Sequence, residues 1–125
     1  MLRWISLAVL LCLPALAHAG AEGRENTAAL LLMAIDWRQT RVIAASPVHW
    51  VSVAEGWQPA YHEANPLLGR RPSAGRVNGY FLALAAGYLL AQEALPEGTG
   101  RALRRVVITA EVGCVVNNFA IGVRF

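Results

Sequence analysis

TAALLLMAIDWRQTRVIAA (Thr27–Ala45) decides the fold. Ala28 to Ile35 is a continuous apolar run, Asp36-Trp37-Arg38-Gln39-Thr40-Arg41 interrupts it, and Val42 to Ala45 is apolar again. Alanine and leucine favour a helix. Asn26 or Thr27 is placed to cap its start, and Ser46-Pro47 to stop it, since the residue before a proline is pushed out of the helical region. A helix over 27–45 follows. Its apolar length suits a bilayer, but Asp36, Arg38 and Arg41 would each cost about 2.5–3.5 kcal/mol at a bilayer centre, so they need partners or an interface.

Proline and glycine punctuate residues 46–75, which read as an interfacial loop holding Trp50, Trp57 and Tyr61, rings suited to a headgroup layer. Residues 77–95 give the most apolar run, ended by Pro96, Gly98 and Gly100, and a further helix is expected over 106–123. Arg3, the apolar stretch Ile5 to Leu16 and Ala17-His18-Ala19 form a secretory signal peptide over 1–19, leaving one domain over 20–125. The predicted fold is all-α: a small helical membrane bundle of about three transmembrane helices after a cleavable signal peptide. The expected location is the bacterial inner membrane, reached through the secretory pathway. The arginines Arg70, Arg71, Arg76 and Arg101, Arg104, Arg105 flank the spans, and no three-span orientation puts both clusters on the cytoplasmic side.

Hydrophobic residues make up 56% of the 125 residues and charged ones 15%, which excludes a disordered chain. All eleven basic residues are arginine. They are split between clusters rather than aligned in one basic face, so nucleic acid is not an expected partner. The expected partners are the lipid bilayer and another membrane protein or a second copy. After processing, Cys114 is the lone cysteine, read as a packed, inert thiol. No nucleophile elbow, phosphate loop or dinucleotide fingerprint occurs, so no enzyme activity is expected. His49, His62 and Glu63 could join Asp36 or Glu111 as metal ligands, but no short His spacing supports this, and neither metal nor cofactor is expected. The alternation in Phe119 to Phe125 resembles a closing barrel strand, but the contiguous Ala/Leu runs oppose a barrel.

Helical spacing puts Asp36, Gln39, Thr40 and Ile43 on one side of the first helix and Arg38 and Arg41 elsewhere. In the last helix, Glu111, Val115, Asn118 and Gly122 share a face, with Asn117 beside it; Gly122 would permit close helix approach. These two faces are expected to meet. They would act as interhelical hydrogen-bond glue, or as a site where two carboxylates share a proton or recruit a cation. The bland reading leads, giving a structural or accessory membrane protein; proton, ion or small-ligand handling at Asp36/Glu111 is the alternative, and a metal-assisted enzyme a third.

Read in order, Asp36-Trp37-Arg38-Gln39-Thr40, Glu63-Ala64-Asn65-Pro66-Leu67-Leu68-Gly69, Arg76-Val77-Asn78-Gly79-Tyr80-Phe81 and Asn118-Phe119-Ala120-Ile121-Gly122-Val123 make the chain resemble a group of small uncharacterised bacterial multi-spanning membrane proteins, which carry D-W-x-Q-T, E-x-N-P-x-L-G and N-x-x-I-G-V elements. The resemblance implies a helical membrane protein and supplies no activity, cofactor or catalytic residue. Arg38 falls on a spacer position. In the middle element, Asn65 before Pro66 favours a turn, Gly69 can take a positive φ, and Glu63 is placed to cap the turn or to pair with Arg70 or Arg71.

Overall fold

A computed structural model describes residues 20–46, 50–53, 56–59, 63, 65–69 and 71–123. Three helices carry the fold: α1 (Ala21–Ala45), α2 (Ala74–Ala94) and α3 (Glu97–Ala120). The expected signal peptide lies outside the described residues. Within the expected loop, β1 (Trp50–Val53) and β2 (Gly56–Pro59) pair antiparallel, with Val51 opposite Gln58 and Ser52 opposite Trp57. The fold is all-α as expected, with this short hairpin as a local addition in the loop. Valine and tryptophan favour extended backbone, and Pro59, which donates no ladder bond, sits at the end of its strand.

Each helix begins earlier than its apolar pattern. α1 starts after Gly20, six residues before the predicted start. Neither Asn26 nor Thr27 caps it: the Thr27 hydroxyl donates back to the Gly23 carbonyl, and Asn26 accepts from the Tyr88 hydroxyl on α2. The stop at Ser46 is where it was expected, with Ser46 in extended conformation. Ser73 caps α2 by accepting from the Arg76 backbone N–H at 3.2 Å. α3 begins straight after Pro96, nine residues ahead of expectation, because its first turns are polar and an apolar-run criterion passes over them.

The end of α3 corrects another reading. Gly122 lies beyond the helix at φ 90°, with its N–H bonded to the Phe119 carbonyl and the Val123 N–H bonded to the Asn118 carbonyl. That is a Schellman stop, which favours glycine because a Cβ is strained at positive φ. Gly122 terminates α3 rather than bringing two helices close.

α1 is the element against which both other helices pack. Tyr88 reaches Asn26 while Asn78 reaches Trp37 and Arg41, so α2 runs antiparallel to α1. Arg104 reaches Glu22 and Glu25 while Asn118 reaches Asp36 and Gln39, so α3 runs parallel to α1. Two apolar clusters fill the contacts. Ala29, Met33 and Tyr88 form one, backed by Leu103 and Val107; Leu68, Val77 and Phe81 form the other, backed by Trp37 and Tyr80. Each large side chain so buried stabilises by roughly 1.5–3 kcal/mol.

Among the described residues, no helix is long and apolar enough to cross a membrane. Asp36, Arg38 and Arg41 break the apolar run of α1, as Arg104, Arg105 and Glu111 break that of α3. The helical expectation is met; the three spans are not shown. Leu82, Leu89 and Leu90 on α2 and Val106, Val112 and Val116 on α3 nevertheless face outward.

Candidate functional site

The buried residues of α3 include Arg104, Glu111, Val115 and Asn118, and those of α1 Ala29, Met33, Asp36, Thr40 and Ile43. The α1 set repeats at alternating steps of four and three and the α3 set at steps of seven, four and three, the spacing with which two nearly parallel helices present one seam to each other. Because α1 and α3 are parallel, the seam keeps its order along both chains. Arg104 meets the start of α1, Asn118 meets Asp36 and Gln39 further along, and Glu111 lies between.

The Asn118 amide holds the upper part of the seam. Its Nδ2 donates to Asp36 Oδ1 at 2.8 Å and to Gln39 Oε1 at 3.3 Å. Gln39 is completely buried, Thr40 is 1% exposed, and Asp36, Glu111 and Asn118 are 7–8% exposed. The two predicted faces therefore do meet. Asn117 is not part of the meeting: one residue on from the seam is about 100° round the helix, and it is exposed.

A third carboxylate arrives from the loop. Glu63 Oε1 accepts the Asn65 N–H, Asn65 Oδ1 accepts the Leu67 N–H, and the Asn65 carbonyl accepts from both Leu68 and Gly69. Gly69 stands at φ 76°, as the turn predicted around Pro66 requires. Glu63 thus caps the turn, and Arg71 donates to the Ser46 carbonyl instead of pairing with it. Arg70 lies outside the described residues. Leu68, almost completely buried, anchors the turn against Val77 and Phe81. The sequence marks Glu63 as a turn residue and as one of several metal-ligand candidates; its charge influence on Asp36 depends on that docking.

The electrostatics are those of acids gathered without a base. Burial pushes the Asp36 carboxyl from 3.8 up to about 7; the charges of Glu111 and Glu63 raise it further, and the Asn118 bond acts in the opposite direction. Burial also raises Glu111. None of the influences on Asp36 is a positive charge. Arginines are engaged elsewhere: Arg41 with Asn78, Arg76 with the Leu67 carbonyl, Arg101 with Glu97, and Arg104 with Glu22, Glu25 and Gln92. Sequence reasoning did not single out the Arg104 cluster, which ties the start of α1 to α3 and the end of α2.

Four buried polar atoms find no hydrogen-bond partner among the described residues: Gln39 Nε2, Thr40 Oγ1, Glu63 Oε2 and Glu111 Oε2. All four belong to the predicted site residues. Such atoms are uncommon because each costs about 1–3 kcal/mol unless water or a ligand satisfies it. Among the described residues, no three His, Cys, Asp or Glu side chains converge as a metal-ligand set. His49 and His62, invoked for the metal reading, lie outside the described residues.

Cys114 corrects the expectation of a packed thiol, since it is exposed. Desolvation, then the charges of Asp36, Glu111 and Glu63, push the thiol up to about 11. Comparison of the chain with protein-family models, curated proteins and solved structures found no match.

Proposed function

We propose that this is a small proton-handling helical protein in which Asp36, with Glu111, takes up and releases a proton near neutral pH. The observation that carries the reading is the burial of Asp36 and Glu111 along the α1–α3 seam, with no cationic influence on Asp36 and four buried polar atoms unpartnered among the described residues. Residues that only glued helices together would pair their donors and acceptors. Here Asn118 makes two such bonds, while Thr40 Oγ1 and Gln39 Nε2 remain available to a water or to an ionised carboxylate. Burial and the charges of Glu111 and Glu63 both disfavour an ionised Asp36, so a proton on that carboxyl is the cheapest way to keep it in the seam.

The test is infrared difference spectroscopy of the full chain across pH 5 to 9, following the carboxylic-acid carbonyl band. A band should disappear near pH 7 in the unaltered protein and be missing in Asp36→Asn, while Glu111→Gln should move its midpoint down. A band unchanged in Asp36→Asn would overturn the reading.

A second reading keeps the protein as a structural or accessory partner at a membrane, associating with itself or another protein. The outward-facing leucines and valines of α2 and α3 favour it, since contiguous apolar surface marks contact with a partner or lipid. Cross-linking and co-purification from gently solubilised membranes would test it; a monomer with nothing bound would count against it.

A further inference from the structure

A groove of about 420 Å³ runs between α1 and α2, on the flank of α1 next to the seam, with Met33 shared between the two. Leu30, Met33, Trp37, Phe81 and Leu82 form its walls, and Asn78 closes one end. From Leu30 to Trp37 is seven residues of helix, so the groove is roughly 10 Å long. Leu82 and Leu89, seven residues apart, extend the same face of α2 beyond it, and both are exposed.

The closed end is polar and positive. Asn78 Oδ1 accepts from Trp37 Nε1 at 3.0 Å and from Arg41 Nη1 at 2.8 Å. Arg71 and Arg76 lie at the same end of the helix pair, donating to the carbonyls of Ser46 and Leu67. All three guanidinium groups thus bond neutral oxygens, whereas Arg101 and Arg104 at the opposite end bond carboxylates. Three positive charges at that end of the helix pair, with only neutral partners among the described residues, complement a ligand with one hydrocarbon tail in the groove and a phosphate at its end.

We infer that the α1–α2 groove binds an acyl chain of an anionic phospholipid, with Arg41 holding the headgroup phosphate and Trp37 lying against the chain. Trp37 suits this role because its indole N–H is already bonded and its ring face is left to apolar contact. Arg41 has its guanidinium on Asn78, at the polar end. This reading does not depend on the proton site, which lies on a different face of α1.

The test uses the full chain in neutral detergent micelles, titrated with phosphatidylglycerol or phosphatidylcholine carrying brominated acyl chains, which quench tryptophan fluorescence on contact. Trp37→Phe supplies the baseline from the other tryptophans, so the difference from the unaltered protein reports the groove alone. The groove signal should be half-quenched at a several-fold lower mole fraction of the anionic lipid. Arg41→Gln should remove that preference, and Leu82→Asp, a change at an exposed position, should weaken quenching by both lipids. Equal quenching by the two lipids in the unaltered protein would overturn the inference, as would a signal undiminished in Trp37→Phe. A concentration-dependent dimer lost in Leu82→Asp, with no lipid preference, would assign the groove to a second copy instead.

Discussion

Replacing Asp36 by Asn should change how stability depends on pH. The Asp36 carboxyl, at 3.8 when free, is held at about 7 in the folded chain, chiefly by burial and then by Glu111 and Glu63. Between those values the folded protein keeps a proton that the unfolded chain has released. Stability therefore falls as pH rises from about 4 to about 7, at a limiting slope of roughly 1.4 kcal/mol per pH unit, and levels off above that. Integrated over the interval, Asp36 alone contributes a loss of up to roughly 4 kcal/mol, an upper limit because its carboxyl is not fully enclosed. Glu111, also raised, acts in the same direction. Asn cannot ionise, yet its carbonyl can still accept from Asn118 Nδ2. Asp36→Asn should therefore match the unaltered protein near pH 4 and exceed its stability by a few kcal/mol at pH 8. Denaturant unfolding followed by far-ultraviolet circular dichroism at several pH values measures this. Parallel curves for the two proteins, or a native stability that rises between pH 5 and pH 7, would refute the reasoning.

Other perturbations test separate parts of the architecture. Asn118→Ala leaves Asp36 Oδ1 and Gln39 Oε1 unbonded, so it should cost about 1–3 kcal/mol and move the Asp36 titration upward, as a denaturation series and the infrared midpoint would report. Gly69→Ala meets no atom within 4 Å but forces alanine to φ 76°; a loss of about 1–2 kcal/mol in the unfolding midpoint is expected, with Gly69→Asn less affected. Arg104→Met strands Glu22 and Glu25, and hydrogen exchange should accelerate in the first turns of α1 before anywhere else in that helix. Cys114, with its thiol at about 11, should react with iodoacetamide at pH 8 far more slowly than glutathione despite its exposure; equal rates would contradict the acidic surroundings assigned to it.

Much of the helical layout is legible in local sequence. Pro47, Pro96 and the Gly-rich stretches punctuate the chain because proline and positive-φ glycine act on their own neighbours. The faces Asp36/Gln39/Thr40 and Glu111/Asn118 follow from the helical repeat, which is a local rule. Helix starts were harder to read, since the first turns of α1 and α3 are polar and rely on Arg104 with Glu22 and Glu25 for support. The hairpin at Trp50–Pro59 was hidden by the same prolines and glycines that marked the segment as a loop. Gly122 shows a different difficulty: a glycine at helical spacing and a glycine one step past a helix end look alike until the end is located.

By itself, the sequence determined that there are helices, which of their residues share a face, and that a turn forms at Asn65–Gly69, because each depends on steric preferences within a few residues. Only the tertiary structure decided that α3 runs parallel to α1 while α2 runs antiparallel, and hence that Asn118 is at the height of Asp36. It also decided that the charge of Glu63 is felt at Asp36, that Asn117 and Cys114 face outward, and that Arg41, Arg71 and Arg76 lie at one end of the α1–α2 pair. Those are consequences of burial between distant segments. The shift of Asp36 towards neutrality arises the same way, since desolvation and neighbouring charge exist only once the chain has packed.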